Sequence, residues 1–268
     1  MTTVVGLVCC DGLVIGTDMK VTAGNRKWAE AKLIAEPCLG KRNLIIAGAG
    51  SLRHVQDAIA WLQLERVQER LGDDPSFDEF LARVVESALP RFREDYFGKY
   101  GEEPELELLI GSVDKDGTPR LVDVYHDGNY DYKTTFAAIG SGSIFGEILL
   151  RKLYNPEITV QAAKRLVGYI IWEVQGIDND SGEGMEIAVL GRSGEIELVQ
   201  PIEVEVFKYL PILVEGVYHE LRQKLQGLPL DKVKEQIEAL QRTLASITQE
   251  EQQGIEGEDD GEANQRTT

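Results

Sequence analysis

The residue with the most chemistry to offer is Thr2. The sequence of 268 residues opens Met1-Thr2-Thr3-Val4-Val5-Gly6. A methionine ahead of a small residue is commonly trimmed, and trimming leaves Thr2 with a free α-amine. One residue then carries both a nucleophile and a base: the hydroxyl attacks a carbonyl and the amine takes its proton. The reference pKa of an α-amine, about 7.7–8, leaves a useful fraction neutral near pH 7. A Met-Thr-Thr start is ordinary by itself, so the rest of the chain decides whether Thr2 has a site around it. The other reactive side chains suggest no rival. His54, His126 and His219 are scattered, and none is assigned to catalysis. Cys9, Cys10 and Cys38 form no CxxC pair and no metal-ligand spacing. Neither a metal nor a cofactor is expected.

Strand and helix signals supply the frame. Thr3 to Val8 is β-branched and apolar, Asp11-Gly12 is a strong turn, and Leu13 to Thr17 resumes the pattern, so the chain should begin with a hairpin. Two further strands are expected at Ala31–Ala35 and Asn43–Ala47, separated by Pro37 and Gly40. The period then changes: Leu52, Val55, Ala58, Ile59, Leu62 and Val67 recur at helical spacing. A second helix should start at Ser76, an N-cap with Glu79 completing a capping box, and Pro90 is placed to bend it. Strands return at Leu106–Val113, Arg120–Tyr125 and Tyr132–Ile139, with turns at Asp116-Gly117 and Asp127-Gly128. Helices follow at Ser143–Leu153 and Val160–Val174, then a hairpin of Glu186–Gly191 and Glu195–Val199. Strands and helices in separate clusters argue for stacked layers rather than an alternating parallel sheet.

Composition narrows the function classes. Apolar residues make up 43% of the chain, enough for a sizeable core, and the net charge of −18 disfavours a nucleic-acid partner. No segment reaches the roughly 18 apolar residues of a membrane span, and no signal-peptide pattern opens the chain. These features point to a soluble, reducing, cytoplasmic setting. Beyond residue 200 the character shifts. A helical extension is expected over 201–249, where Leu230, Val233, Ile237, Leu240, Leu244 and Ile247 form a coiled-coil-like seam. It would serve equally a helix folded back on its own domain or an intermolecular contact. From Glu250 the chain is acidic and nearly without apolar residues, so 250–268 is expected to be disordered.

The ordered set of short motifs resembles the proteasome β-type subunits and their bacterial relatives. Thr2-Thr3-Val4-Val5-Gly6, Asp11-Gly12-Leu13-Val14-Ile15-Gly16-Thr17-Asp18 and Val21-Thr22-Ala23-Gly24 look like the start of such a subunit. Lys32-Leu33-Ile34, Ala47-Gly48-Ala49-Gly50, Gly140-Ser141-Gly142-Ser143 and Asp178-Asn179-Asp180-Ser181-Gly182 follow in order. The likeness covers about residues 2 to 200. It implies an α+β fold, a four-layer αββα sandwich of the N-terminal nucleophile hydrolase type, over that span. It also implies a threonine peptidase with Thr2 as nucleophile and Lys32 as the cation beside it. A nearby ammonium disfavours protonation of the amine and stabilises an alkoxide. Asp18 would hold Lys32 charged and oriented. Gly48 would offer its N–H to the oxyanion, with no side chain to obstruct substrate. Ser141, Asp178 and Ser181 would form the hydrogen-bonded shell around the threonine amine.

By the same likeness Val21, Ile46 and Gly50 would line the first specificity pocket, favouring an apolar side chain before the cut. Glu30 nearby would instead attract a basic one. The implied partners are other copies of the chain, in a homo-oligomeric ring or spiral, and unfolded proteins or peptides as substrates. An ATPase cap has no supporting motif. Three alternatives stay open: a catalytically silent ring subunit, an amidohydrolase, and a transpeptidase using the same threonine.

Overall fold

Alternation with period two makes a sandwich of this sequence, because successive side chains of a strand face opposite sides. In β6 (Arg42–Gly50), Leu44 and Ile46 face one way while Ile45 and Ala47 face the other; in β7 (Leu106–Val113), Leu108 and Ile110 oppose Leu109. Both faces are apolar, so both must be covered, one by another sheet and one by helices. The computed structural model describes residues 2–23, 26–39, 42–68, 76–179, 181–182, 184–200, 204 and 207, all within Met1–Pro211. Apart from residues 204 and 207, the expected helical extension over 201–249 lies outside the described residues, as do its seam, the acidic segment from Glu250, His219 and Asp180.

The first sheet runs β10-β1-β2-β11-β12, built from β1 (Thr3–Cys9), β2 (Gly12–Asp18), β10 (Phe136–Gly140), β11 (Met185–Gly191) and β12 (Ile196–Leu198). The second runs β5-β6-β7-β8-β9, with β5 (Leu33–Leu39), β8 (Pro119–Tyr125) and β9 (Tyr130–Lys133) joining β6 and β7. A separate ribbon pairs β3 (Lys20–Ala23) with β4 (Arg26–Ala29). Every pairing is antiparallel. On the second sheet lie α1 (Leu52–Gln68), α2 (Phe77–Phe80), a π-helical turn (Leu81–Val85) and α3 (Glu86–Tyr100). On the first lie α4 (Ser143–Leu153) and α5 (Val160–Ile177). Val4, Leu13, Ile15, Leu109, Leu121 and Ile139 fill the gap between the sheets. The architecture is therefore the expected α/β/β/α sandwich, with three apolar layers between four layers of structure.

Three local differences have physical causes. The strand expected over Tyr132–Ile139 is two strands: Tyr130–Lys133 pairs with β8, and after a bend Phe136–Gly140 pairs with β1 in the other sheet. Alternation stays regular across such a change of partner. At Ser76 only half of the capping box forms. Its hydroxyl accepts the Glu79 N–H at 3.0 Å, while the Glu79 carboxylate takes Arg83 at 2.8 Å. The one helix expected from Ser76 contains a π-helical turn, in which the Glu86 N–H reaches back five residues to Leu81, and Pro90 follows one turn later inside α3.

Candidate active site

The hairpin register brings the first acid to the threonines. Val4 pairs with Thr17, so the next step places Thr3 beside Asp18, and the Thr3 N–H donates to Asp18 Oδ1 at 2.8 Å. Asp18 is fully buried. Its Oδ2 also accepts the N–H of Lys20 and of Gly182, each at 3.1 Å. Lys32 enters from the start of β5, where its N–H donates to Glu186 Oε2 at 3.0 Å. Its Nζ lies 2.8 Å from Thr2 Oγ1 and 3.3–3.4 Å from the two Asp18 oxygens. Thr2 itself is 2% exposed, so hydroxyl, ammonium and carboxylate meet out of bulk water.

Burial disfavours both charges of this pair. It pushes the Lys32 ammonium below the usual lysine range, against the pull of Asp18 and Glu186 and with a further push from Lys20. It pushes the Asp18 carboxyl up, against Lys32 and the three backbone donors. A lysine so poised can exchange a proton with the hydroxyl it touches more readily than a solvated one.

The hydroxyl shell closes on the other side. Asp178 caps the C-terminus of α5 and its Oδ2 accepts Ser141 Oγ at 2.8 Å and Ser181 Oγ at 3.0 Å. Ser141 Oγ lies 3.4 Å from the Thr2 carbonyl oxygen, and Ser181 Oγ lies 2.5 Å from Thr3 Oγ1. Thr2, Asp18, Lys32, Ser141, Asp178 and Ser181 thus form one connected network.

Gly48 lines the cleft with Thr2, but its geometry departs from the expected reason for a glycine. A Cβ there would lie 2.2 Å from Val55 Cγ1, so the missing side chain is required by the packing of α1. Its N–H faces the Lys32 carbonyl at 3.3 Å, a long bond that an oxyanion would have to displace. The cleft, about 570 Å³, also holds Val21, Glu30 and Gly50. Ile46 is not among its walls. It is 2% exposed and packs in the cluster beneath α1, because its place in the alternation of β6 turns it to the helix side.

Sequence reading passed over three residues here. Lys20 is 8% exposed, and its Nζ donates to the carbonyls of Asn179 and Ser181, tying down the loop that carries Ser181. Trp28 lines the cleft and donates Nε1–H to Glu30 Oε2 at 2.8 Å. Glu186 orients the Lys32 backbone. Of these, only Trp28, a large apolar residue directly after Arg26-Lys27, stands out in the sequence. Among the described residues no group of three or more His, Cys, Asp and Glu could hold a metal ion.

A two-sheet sandwich with a threonine, a buried lysine and a buried aspartate at the open end of its first hairpin defines an N-terminal nucleophile hydrolase fold. The profile described as proteasome subunit matches residues 1–190, and the chain belongs to that family. It is similar to a proteasome subunit beta of Archaeoglobus profundus, 28% identical over 202 residues that cover 74% of this chain and 87% of that one. A proteasome subunit beta of Ferroglobus placidus is 29% identical over 211 residues, covering 76% and 92%. Among solved structures, the helical assembly of the Anbu complex from Pseudomonas aeruginosa superposes with a TM-score of 0.69 at 20% identity, covering 86% of this chain and 99% of that one. Anbu from Yersinia bercovieri gives 0.68 at 18% identity, covering 85% and 98%. These relations make the chain a proteasome-like peptidase or a related subunit.

Proposed function

We propose that the protein is a threonine endopeptidase that works as a self-assembled, proteasome-like complex on unfolded proteins or peptides. The observation that carries this reading is Lys32 Nζ at 2.8 Å from Thr2 Oγ1 while still paired with Asp18. Once Met1 is removed, the Thr2 hydroxyl attacks the peptide carbonyl, its proton passes to the α-amine, and Lys32 stabilises the alkoxide. Gly48 N–H releases Lys32 O and turns to the oxyanion. The leaving amine takes the proton, water attacks the acyl-threonine ester, and the threonine is regenerated with the acid product released. Asp178 steadies the Thr2 carbonyl through Ser141 and the Thr3 hydroxyl through Ser181. Val21, Gly50 and Glu30, with Trp28 fixing the Glu30 carboxylate, receive the side chain before the cut. Self-assembly is supported by the helical assembly named for the Pseudomonas relative. The domain over 2–200 would carry the catalysis, with 201–249 and 250–268 as additions to it.

The test is a fluorogenic peptide assay on wild type and Thr2→Ala. Removing the nucleophile should lower kcat by roughly 10³-fold or more. Peptidase activity that survives in Thr2→Ala would refute the assignment.

A further inference from the structure

Two carboxyls that the chemistry above does not use, a half-buried Glu107 and a buried Asp123, lie one layer behind Thr2. Asp123 on β8 pairs with Leu109 and Tyr125 pairs with Glu107, so Glu107 and Asp123 are diagonal neighbours on the face between the sheets. As diagonal neighbours on one face, the two side chains are placed to reach each other. Asp123 is 6% exposed and its Oδ1 is buried with no hydrogen-bond donor, a costly position for an ionised carboxylate. A proton held between the two groups supplies the missing donor. On its other side, Glu107 Oε2 accepts the Gly140 N–H at 3.3 Å. Gly140 has φ +86°, and a Cβ there would lie 2.1 Å from the Thr2 carbonyl oxygen, so Thr2 rests directly on this glycine. Ser141, which follows it, carries the hydroxyl 3.4 Å from that same oxygen.

We propose that Glu107 and Asp123 share one proton and act as a positioning pair: Glu107 fixes the Gly140 N–H, and with it the seat of Thr2. This rests on Thr2 being the nucleophile. The surrounding groups are consistent. From β8 comes the Tyr125 hydroxyl, 3.3 Å from Asp123 Oδ2; from β9 come Lys133, 3.7 Å from the same oxygen, and Asp131. From β10 comes the Gly140 N–H, and β6 brings the uncharged Ala49 and Gly50 to the cavity in front of Glu107, where Glu103, paired with Arg93, Glu105 and His126 also lie. Burial pushes the Glu107 carboxyl up and the charge of Asp123 pushes it further, against Gly140 N–H and Lys133. Burial likewise raises Asp123, against Lys133 and Tyr125, with Asp131 adding to the rise.

The sign follows from linkage. Native carboxyls raised above their unfolded values bind a proton that the unfolded chain releases. Their stabilisation is full below the unfolded pKa and is lost as pH rises through the native one. Raising the pH therefore sets two carboxylates against each other and loosens Gly140. In Glu107→Gln the amide accepts the Gly140 N–H and donates to Asp123 permanently. Asp123→Asn donates to Glu107 in the same way. Glu107→Ala removes the anchor.

The experiment measures the rate at which a peptidyl epoxyketone labels Thr2, followed by intact mass, together with kcat and KM for a small peptide, all across pH. Labelling and kcat of Glu107→Ala should fall roughly tenfold or more with KM little changed, while Glu107→Gln stays within about threefold of wild type. Glu107→Gln and Asp123→Asn should both lose the decline with rising pH that is expected of wild type in labelling rate and unfolding temperature. If Glu107→Ala does not fold, these two conservative variants still decide. The proposal is overturned if Glu107→Ala matches wild type, or if both amide variants keep the wild-type pH profile. Failure of the nucleophile reading looks different: wild type would not be labelled at Thr2. That would overturn the positioning role and leave the shared proton to the unfolding temperatures.

Discussion

Lys32 faces two oxygens at once. Asp18 holds it charged, and the same ammonium lies 2.8 Å from Thr2 Oγ1, where the proposed chemistry uses it to stabilise the alkoxide. The bland reading of Asp18 and Lys32 is a buried structural ion pair, and the two readings separate experimentally. Lys32→Met leaves Asp18 buried without its cation and should cost about 3–5 kcal/mol in chemical denaturation, offset in part by the three N–H donors that Asp18 keeps. Adding Asp18→Asn should restore most of that stability without restoring turnover. If the double variant regains peptidase activity, Lys32 is structural only. The acid limb of kcat/KM follows from the α-amine. As pH falls through its pKa the base is protonated and the rate falls; Lys32→Met should shift that limb upward, because a nearby ammonium no longer opposes protonation. Thr2, Asp18 and Lys32 are legible in the sequence because they sit at fixed distances from turn and strand signals. Lys20 and Glu107 are not, because their roles depend on the 178–182 loop and on a glycine 33 residues away. A weak signal was present: Glu107 and Asp123 each interrupt an apolar strand on its inward-facing side.

At the scale of elements, the join between β6 and α1 sets the cleft. Gly48 faces Val55 so closely that an alanine there must push the helix or the strand. Gly48→Ala should cost about 1–3 kcal/mol, and Val55→Ala in the same chain should recover part of it, a coupling that a double-mutant cycle reads directly. Additive costs would mean that the two do not touch. Most elements were legible, since period-two and period-3.6 patterns survive in strands and helices with a buried face. The β3-β4 ribbon was not: its strands are four residues long, and Arg26-Lys27-Trp28-Ala29 carries no alternation. The division of Tyr132–Ile139 was hidden for the opposite reason, an alternation that continues while the partner strand changes.

For the whole molecule, the described surface keeps an apolar face. Ile144 and Ile148 stand one turn apart on α4, 70% and 49% exposed, with Phe145 beside them. Contiguous exposed apolar residues on a charged protein mark an interaction surface. Aspartate at both isoleucine positions should lower the assembly mass in light scattering and leave the unfolding temperature near that of wild type, because neither side chain contributes to the core. An unchanged assembly would place self-association elsewhere. The central claim is a smaller matter of atoms: a hydroxyl and a free amine on one residue. A peptidyl epoxyketone needs both, the hydroxyl adding to its ketone and the amine opening its epoxide to form a new ring, so intact mass and fragment mapping of the treated protein report on both at once. One adduct is expected, on Thr2 of a chain that has lost Met1, with peptidase activity falling in step with labelling. Full activity in a chain that retains Met1, or an adduct on any other residue, would contradict it.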